Sequence, residues 1–155
     1  MTSTQQYVAA LDQVLELAML IDDDMTRTLA RDGLTASRAH LLWELRQRGP
    51  TTQRELADAL RVSPRNVTGL VDALVSTGFV TRQPHPHDRR ATLVSFTPRG
   101  AATATALAEG QREFARLLFA EMAPERFAGF VTGLGEVLGR LRQVLATEDR
   151  AVNRA

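Results

Sequence analysis

"TTQRELADALRVSPRNVTGLVDALVSTGF" (51–79) contains two short helices and the turn that joins them. Thr52 and Glu55 have the T-x-x-E spacing at which a hydroxyl and a carboxylate satisfy each other's free backbone N–H groups at a helix start. Leu56, Ala59 and Leu60 form the inner face of that first helix. Ser63 then suits an N-cap and Pro64 the first helical position, where a missing N–H costs nothing. Val67, Leu70, Val71, Leu74 and Val75 make one apolar stripe, and Gly78 ends it as a left-handed cap. Two short helices joined by only a few residues around "LRVS" are a helix-turn-helix pattern.

Upstream, residues 5 to 31 predict a helix, with Val8, Leu11, Leu15, Ala18 and Met25 at spacings of three, four and seven. Gly33 closes it. A second helix starts near Thr35, carries Leu41, Leu42 and Leu45, and stops at "RGP" (48–50). Downstream, "FVTRQ" (79–83) and "ATLVSF" (91–96) favour strands and are joined by "PHPHDRR". Pro84 and Pro86 cannot lie in a central strand, so this segment is a loop or the edge of a two-stranded ribbon. "TPRG" (97–100), with Thr97 as N-cap and Pro98 in the first turn, opens a long helix to about Glu121. A last helix, 124 to 147, carries a stripe from Phe127 to Val144 close to heptad spacing. The expected fold is mainly α with a small β-hairpin wing.

The 155 residues predict a single domain large enough for a real core. No cysteine is present, which excludes disulfide scaffolds and thiolate metal or redox sites. No apolar run approaches the roughly 18 residues of a membrane span, and "MTSTQQYVAALDQVLEL" lacks the basic start and apolar block of a signal peptide. A cytoplasmic protein with no membrane partner is expected. The net charge of +1 hides an asymmetry: residues 48 to 99 hold eight arginines against four acids, and the remainder eleven against fourteen. All nineteen basic residues are Arg, whose planar fork recognises phosphate and guanine in ways Lys cannot.

On the second helix of the pair, Arg65, Gly69, Asp72 and Ser76 point away from the apolar stripe, with Asn66 and Thr68 on its flanks. Arginine can pair with guanine and asparagine with adenine through two hydrogen bonds each, and the helix N-terminus favours phosphate. Such a face alone equals an ordinary solvated one. Its place between a capped helix and a basic ribbon tip is what points to DNA. A wing beside that helix would set Arg89 and Arg90 over a neighbouring minor groove, where negative potential is enhanced. Asp88 cannot be drawn to DNA, so its expected task is to hold an arginine or the turn in place.

Residues 34 to 100 resemble the MarR-type (multiple antibiotic resistance regulator) winged-helix repressors. The most specific match is D-x-R-x-x-x-[apolar]-x-[apolar]-T-x-x-G, met by Asp88, Arg90, Val94, Phe96, Thr97 and Gly100, with Gly78 and Arg82 in the approach and Arg82 counted among the expected DNA-binding residues. The resemblance implies that Arg90 reaches the minor groove with Asp88 as its organiser. It places Ser63, Arg65, Asn66 and Thr68 on recognition-helix positions, and Thr52 and Gln53 on phosphate-contacting ones. Gly69 and Ala73 depart from it, standing where the family often has arginine.

The organisation this implies is one domain over 1–155: a DNA-binding lobe at 34–100, with helices 1–31 and 101–147 interlocking in a homodimer. A symmetric dimer would read a pseudo-palindromic operator with half-sites about one DNA turn apart. The resemblance also places small aromatic-acid effectors near the second helix, where Trp43 could stack on such a ligand and Arg38 meet its carboxylate. His40 lies three residues before Trp43 on the same side. The alternative for Trp43 is packing against the first helix around Met19.

Rival chemistries are poorly served. "HPHD" (85–88) lacks two-metal spacing, and His40, the only other histidine, cannot complete such a site. "DDD" (22–24) spreads its carboxylates around a helix. "GLGEVLG" (133–139) follows no strand, so it is no nucleotide loop. Neither a catalytic triad nor a cofactor site is present, so no enzyme is expected. A winged-helix module for protein–protein contact is the alternative, and the basic middle argues against it.

Overall fold

Side-chain caps set where the helices begin. In the computed structural model, which describes residues 3–152, Ser3, Thr35, Thr52 and Ser63 each accept a backbone N–H from three residues on. They open α1 (Thr4–Arg31), α2 (Ala36–Arg48), α3 (Gln53–Leu60) and α4 (Pro64–Ser76). Thr97 does the same for α5 (Pro98–Phe119), its hydroxyl accepting from the Gly100 N–H at 3.0 Å. The last helix is α6 (Pro124–Val152). Gly33 and Gly78 follow α1 and α4 with φ of +69° and +83°, left-handed values that a side chain would strain.

The strands are β1 (Thr51–Thr52), β2 (Val80–Pro84) and β3 (Thr92–Phe96), in the order β1-β3-β2. The wing is therefore a three-stranded antiparallel sheet, where the sequence predicts a two-stranded ribbon. Thr51 and Thr52 pair with Val94 and Leu93, so "TT" is a strand that turns directly into α3. Two residues cannot display the alternation that marks a strand. Pro84 ends β2 on the sheet's edge, where its missing N–H breaks no ladder.

The chain divides into two compact units, 1–107 and 108–155. The core of the first unit gathers Leu41, Leu42 and Leu45 of α2, Leu56 of α3, Val67, Val71 and Leu74 of α4, and Phe79, Val80 and Val94 of the sheet. These are the predicted stripes of α2 and α4 closing on one another. From α1 only Leu29 is buried in that core; Leu11 and Leu15 stay 56% and 52% exposed. In the second unit the Phe119 ring meets Phe127 and Phe130 with centroids 5.6 and 5.7 Å apart. Along α6, Val131, Val137, Leu141, Val144 and Leu145 are about half exposed.

No helix among the described residues is long and apolar enough to cross a membrane.

Candidate nucleic-acid interface

The turn between α3 and α4 depends on Arg61, which adopts a left-handed φ of +53° and leaves its N–H to the Asp58 carbonyl. Nothing in its side chain announces that conformation. At the start of α4 the Ser63 oxygen accepts the Asn66 N–H at 3.1 Å, and its hydroxyl donates to no partner among the described residues. Arg65 and Asn66 are exposed on the first turn. Among the described residues their side chains make no hydrogen bond or ion pair.

Beside them runs an open groove of about 510 Å³ between α2 and α4, lined in part by Ser37, His40, Arg65, Asn66 and Gly69. Position 69 contributes to that opening: a β-carbon there would meet nothing within 4 Å.

Thr52, Gln53, Thr68 and Arg82 are placed differently from Arg65 and Asn66, because their polar atoms are engaged within the protein. The Thr52 hydroxyl accepts the Glu55 N–H at 3.2 Å and bonds the Glu55 carboxylate at 2.9 Å. Together with the Thr51 hydroxyl and the Thr52 N–H, both on the same carboxylate oxygen, it holds Glu55 at a pKa of about 2. The Thr51 bond is the largest cause. Three donors on one oxygen favour its ionised form.

Arg82 spans from β2 to two helices: Nε donates to the Gln53 Oε1 at 2.9 Å, and Nη2 to the Asp72 carboxylate. The Gln53 Nε2 donates in turn to the Thr68 hydroxyl at 3.2 Å, which donates to the Pro64 carbonyl at 2.9 Å. Because a guanidinium can only donate, the Gln53 amide can be oriented only one way. Residues 29 positions apart are joined by this chain, and no local sequence pattern signals it.

At the wing apex Asp88 Oδ1 accepts the Arg90 N–H at 2.9 Å, and its carbonyl accepts the Ala91 N–H at 3.1 Å. The His85 Nδ1 accepts the N–H groups of both His87 and Asp88 at 3.1 Å. Asp88 thus organises the turn rather than an arginine side chain. Arg89 and Arg90 are exposed, and their guanidinium groups have no ion-pair partner among the described residues.

Thr97 and Gly100 serve packing. The Thr97 hydroxyl donates to the Gly78 carbonyl at 2.6 Å, and Arg99 stacks 4.5 Å above the Phe79 ring while donating to the Thr77 carbonyl. The end of α4, the start of β2 and the start of α5 are thereby joined. Sequence reasoning assigned Arg99 no role; it stands in the first turn of α5 and reaches the C-terminal end of α4 across 22 residues, a relation no local pattern signals.

Of the three residues expected near an effector, Arg38 is half-buried and His40 and Trp43 are exposed, with ring centroids 6.4 Å apart. His40 also lies 3.8 Å from Glu44. His40 lines the groove, and neither Arg38 nor Trp43 does. Trp43 keeps 47% exposure and Met19 69%.

Comparison with known proteins places this geometry. The MarR family model matches residues 34–92, which run from the end of α1 through the wing apex. The transcriptional repressor NicR of Pseudomonas putida is 31% identical over 119 residues, covering 76% of this chain and 70% of NicR. The chain belongs to the MarR family. The multiple antibiotic resistance protein MarR of Salmonella typhimurium is 38% identical over 69 residues, a match that spans 48% of MarR and 44% of this chain. The crystal structure of RV1404 from Mycobacterium tuberculosis superposes with a TM-score of 0.72 at 27% identity, covering 90% of this chain and 94% of RV1404. Among these relatives the likeness to MarR is local, while those to NicR and RV1404 extend over most of each chain.

Proposed function

We propose that this MarR-family chain is a homodimeric transcriptional repressor of the cytoplasm that binds a pseudo-palindromic double-stranded operator. The observation that carries the reading is the set of uncommitted groups on two adjoining elements: Arg65 and Asn66 on the first turn of α4, Arg89 and Arg90 at the wing apex. These are side chains able to read base edges and a narrow minor groove, held out by caps and turns that satisfy everything around them. Ser63, whose hydroxyl donates to no partner among the described residues, serves as a phosphate contact beside the α4 N-terminus.

Residues 34–100 act in this reading as the DNA-binding lobe, and 1–31 with 101–147 as dimerisation helices. The exposed stripe of α1 from Tyr7 to Met25 and that of α6 from Val131 to Leu145 support the assignment. Monomeric proteins rarely leave so much contiguous apolar surface in water. A second copy of the same chain buries it and sets two α4 helices about 34 Å apart. A small aromatic or phenolic effector near Arg38, His40 and Trp43 would release DNA by altering that spacing, since binding needs both half-sites at once. Trp43 is the sole tryptophan and reports on such a ligand through its fluorescence.

Selection of bound sequences from a random duplex pool tests the reading. An enriched inverted repeat with half-sites one helical turn apart is expected. A pool that never enriches, or a partner bound independently of salt, would replace it with a protein-interaction module.

A further inference from the structure

Arg82 has the charge and the location of a DNA contact, and its bonds give it a different task. We infer that Arg82, with Asp72 and Gln53, is a positioning residue that fixes the wing against the recognition helix and makes no phosphate or base contact of its own. The inference rests on the DNA-binding reading above and deepens it.

Three observations support it. First, two of the guanidinium nitrogens are engaged: Nε is on Gln53 of α3 and Nη2 on Asp72 of α4, so one rigid planar group on β2 ties down two helices. Second, the chain continues through Gln53 and Thr68 to the Pro64 carbonyl. Pro64, Thr68 and Asp72 are four residues apart in turn and share one side of α4, so the helix is gripped along three successive positions. Its rotation about its own axis, which decides where Arg65 and Asn66 point, is set from the wing.

Third, the energetics favour geometry over stability as the reason for the pair. The Arg82 and Asp72 side chains are 32% and 60% exposed, and ion pairs so open to solvent contribute little to folding. A carboxylate on the polar side of a DNA-reading helix also repels phosphate. Holding Arg82 in place accounts for an acid at that position.

Asp72→Ala in the full-length chain separates the possibilities, because electrostatics and positioning predict opposite signs. Affinity is measured by fluorescence anisotropy on a labelled duplex recovered from the random-pool selection, at several salt concentrations. Charge alone predicts tighter binding once the carboxylate is gone. Positioning predicts binding weaker by about fivefold or more, with Asp72→Glu recovering much of the loss. Arg82→Ala should weaken binding similarly, leave the salt slope unchanged, and add little to Asp72→Ala in the double variant. Arg90→Ala, by contrast, should make the slope shallower.

Circular dichroism at the assay temperature establishes folding. Should the alanine variant not fold, Asp72→Ser carries the test, since its short side chain removes the charge and no longer reaches Arg82; weaker binding is again expected. Tighter or unchanged binding on loss of the Asp72 charge overturns the inference, as does a salt slope that falls in Arg82→Ala as it does in Arg90→Ala. Those outcomes leave DNA binding itself intact. A wild-type protein that binds no duplex defeats both.

Discussion

Gly100 lies so close to the backbone of Phe79 that a β-carbon on it would sit 1.7 Å from the Phe79 carbonyl oxygen. The same oxygen accepts the Thr97 N–H at 3.1 Å, and the Thr97 hydroxyl holds the neighbouring Gly78 carbonyl. The first turn of α5 is thus seated directly on the junction between α4 and β2.

Gly100→Ala should therefore be among the most damaging single-methyl changes in the chain, costing about 3 kcal/mol or more because the obstacle is backbone and cannot swing aside. Gly69→Ala supplies the contrast. No atom lies within 4 Å of its added carbon, so a gain of about 0.5–1 kcal/mol from helix propensity is expected. Urea midpoints of the two variants against wild type give both numbers.

Glu55 makes stability pH-dependent on the acid side. Its pKa falls from an ordinary 4.5 to about 2 on folding, so the folded state gains from its charge at every pH above 4.5. That gain is lost as pH drops from 4.5 toward 2. The carboxylate is exposed, so its worth is held to about 1 kcal/mol, as for other helix-start caps. Glu55→Gln should lose that amount at pH 7, and the gap between variant and wild type should close as acid is added. Thermal melts over a pH series follow the convergence.

Arg90→Ala should lower operator affinity by about 1–3 kcal/mol and leave the dimer intact. The turn itself should survive, since Asp88 grips the backbone N–H of residue 90 and not its side chain. If the two protomers neutralise about eight phosphates, the log–log salt slope should be about −7, and two lost contacts should bring it nearer −5. Gel-shift titrations across salt, with sedimentation velocity on the same samples, check both halves of this expectation.

Leu15→Glu places a charge in the exposed stripe of α1, where the native side chain is 52% accessible. In a monomer such a change should be harmless, because surface substitutions seldom exceed about 0.5 kcal/mol. In the dimer it buries an unpaired carboxylate and should shift sedimentation to the single-chain species, with operator affinity falling alongside. An unchanged sedimentation coefficient would remove α1 from the interface.

Much of this architecture could be read from side chains that act within four residues of themselves. Ser63, Thr35 and the Thr52–Glu55 pair cap the helices they were expected to cap, and Gly33 and Gly78 carry the left-handed turns. Hydrophobic spacing likewise located the faces of α2 and α4 that meet in the core. Features set by distant partners were not legible. β1 exists because Thr51 and Thr52 find Leu93 and Val94, some forty residues on, and two residues have no period of their own. Gly100 matched a motif, but the reason for a glycine there is a carbonyl twenty-one positions earlier.

The candidate site divides along the same line. Arg65, Asn66, Arg89 and Arg90 are exposed as their sequence neighbourhoods implied. Thr52, Gln53, Thr68 and Arg82 have identical credentials as polar or basic residues in a basic segment, yet bonds across the fold engage them. Residue type and spacing tell which groups could meet a polyanion. They do not tell which of those groups the fold has already used.

The wing apex carries its own scaffolding: His85 and Asp88 close the loop on backbone N–H groups. Residues 89 and 90 are thereby relieved of any architectural duty through their side chains. Their letters can be rewritten, by selection or by design, at almost no cost to the frame that displays them. The tip is a natural place for close kin of this chain to diverge in the sequences they favour.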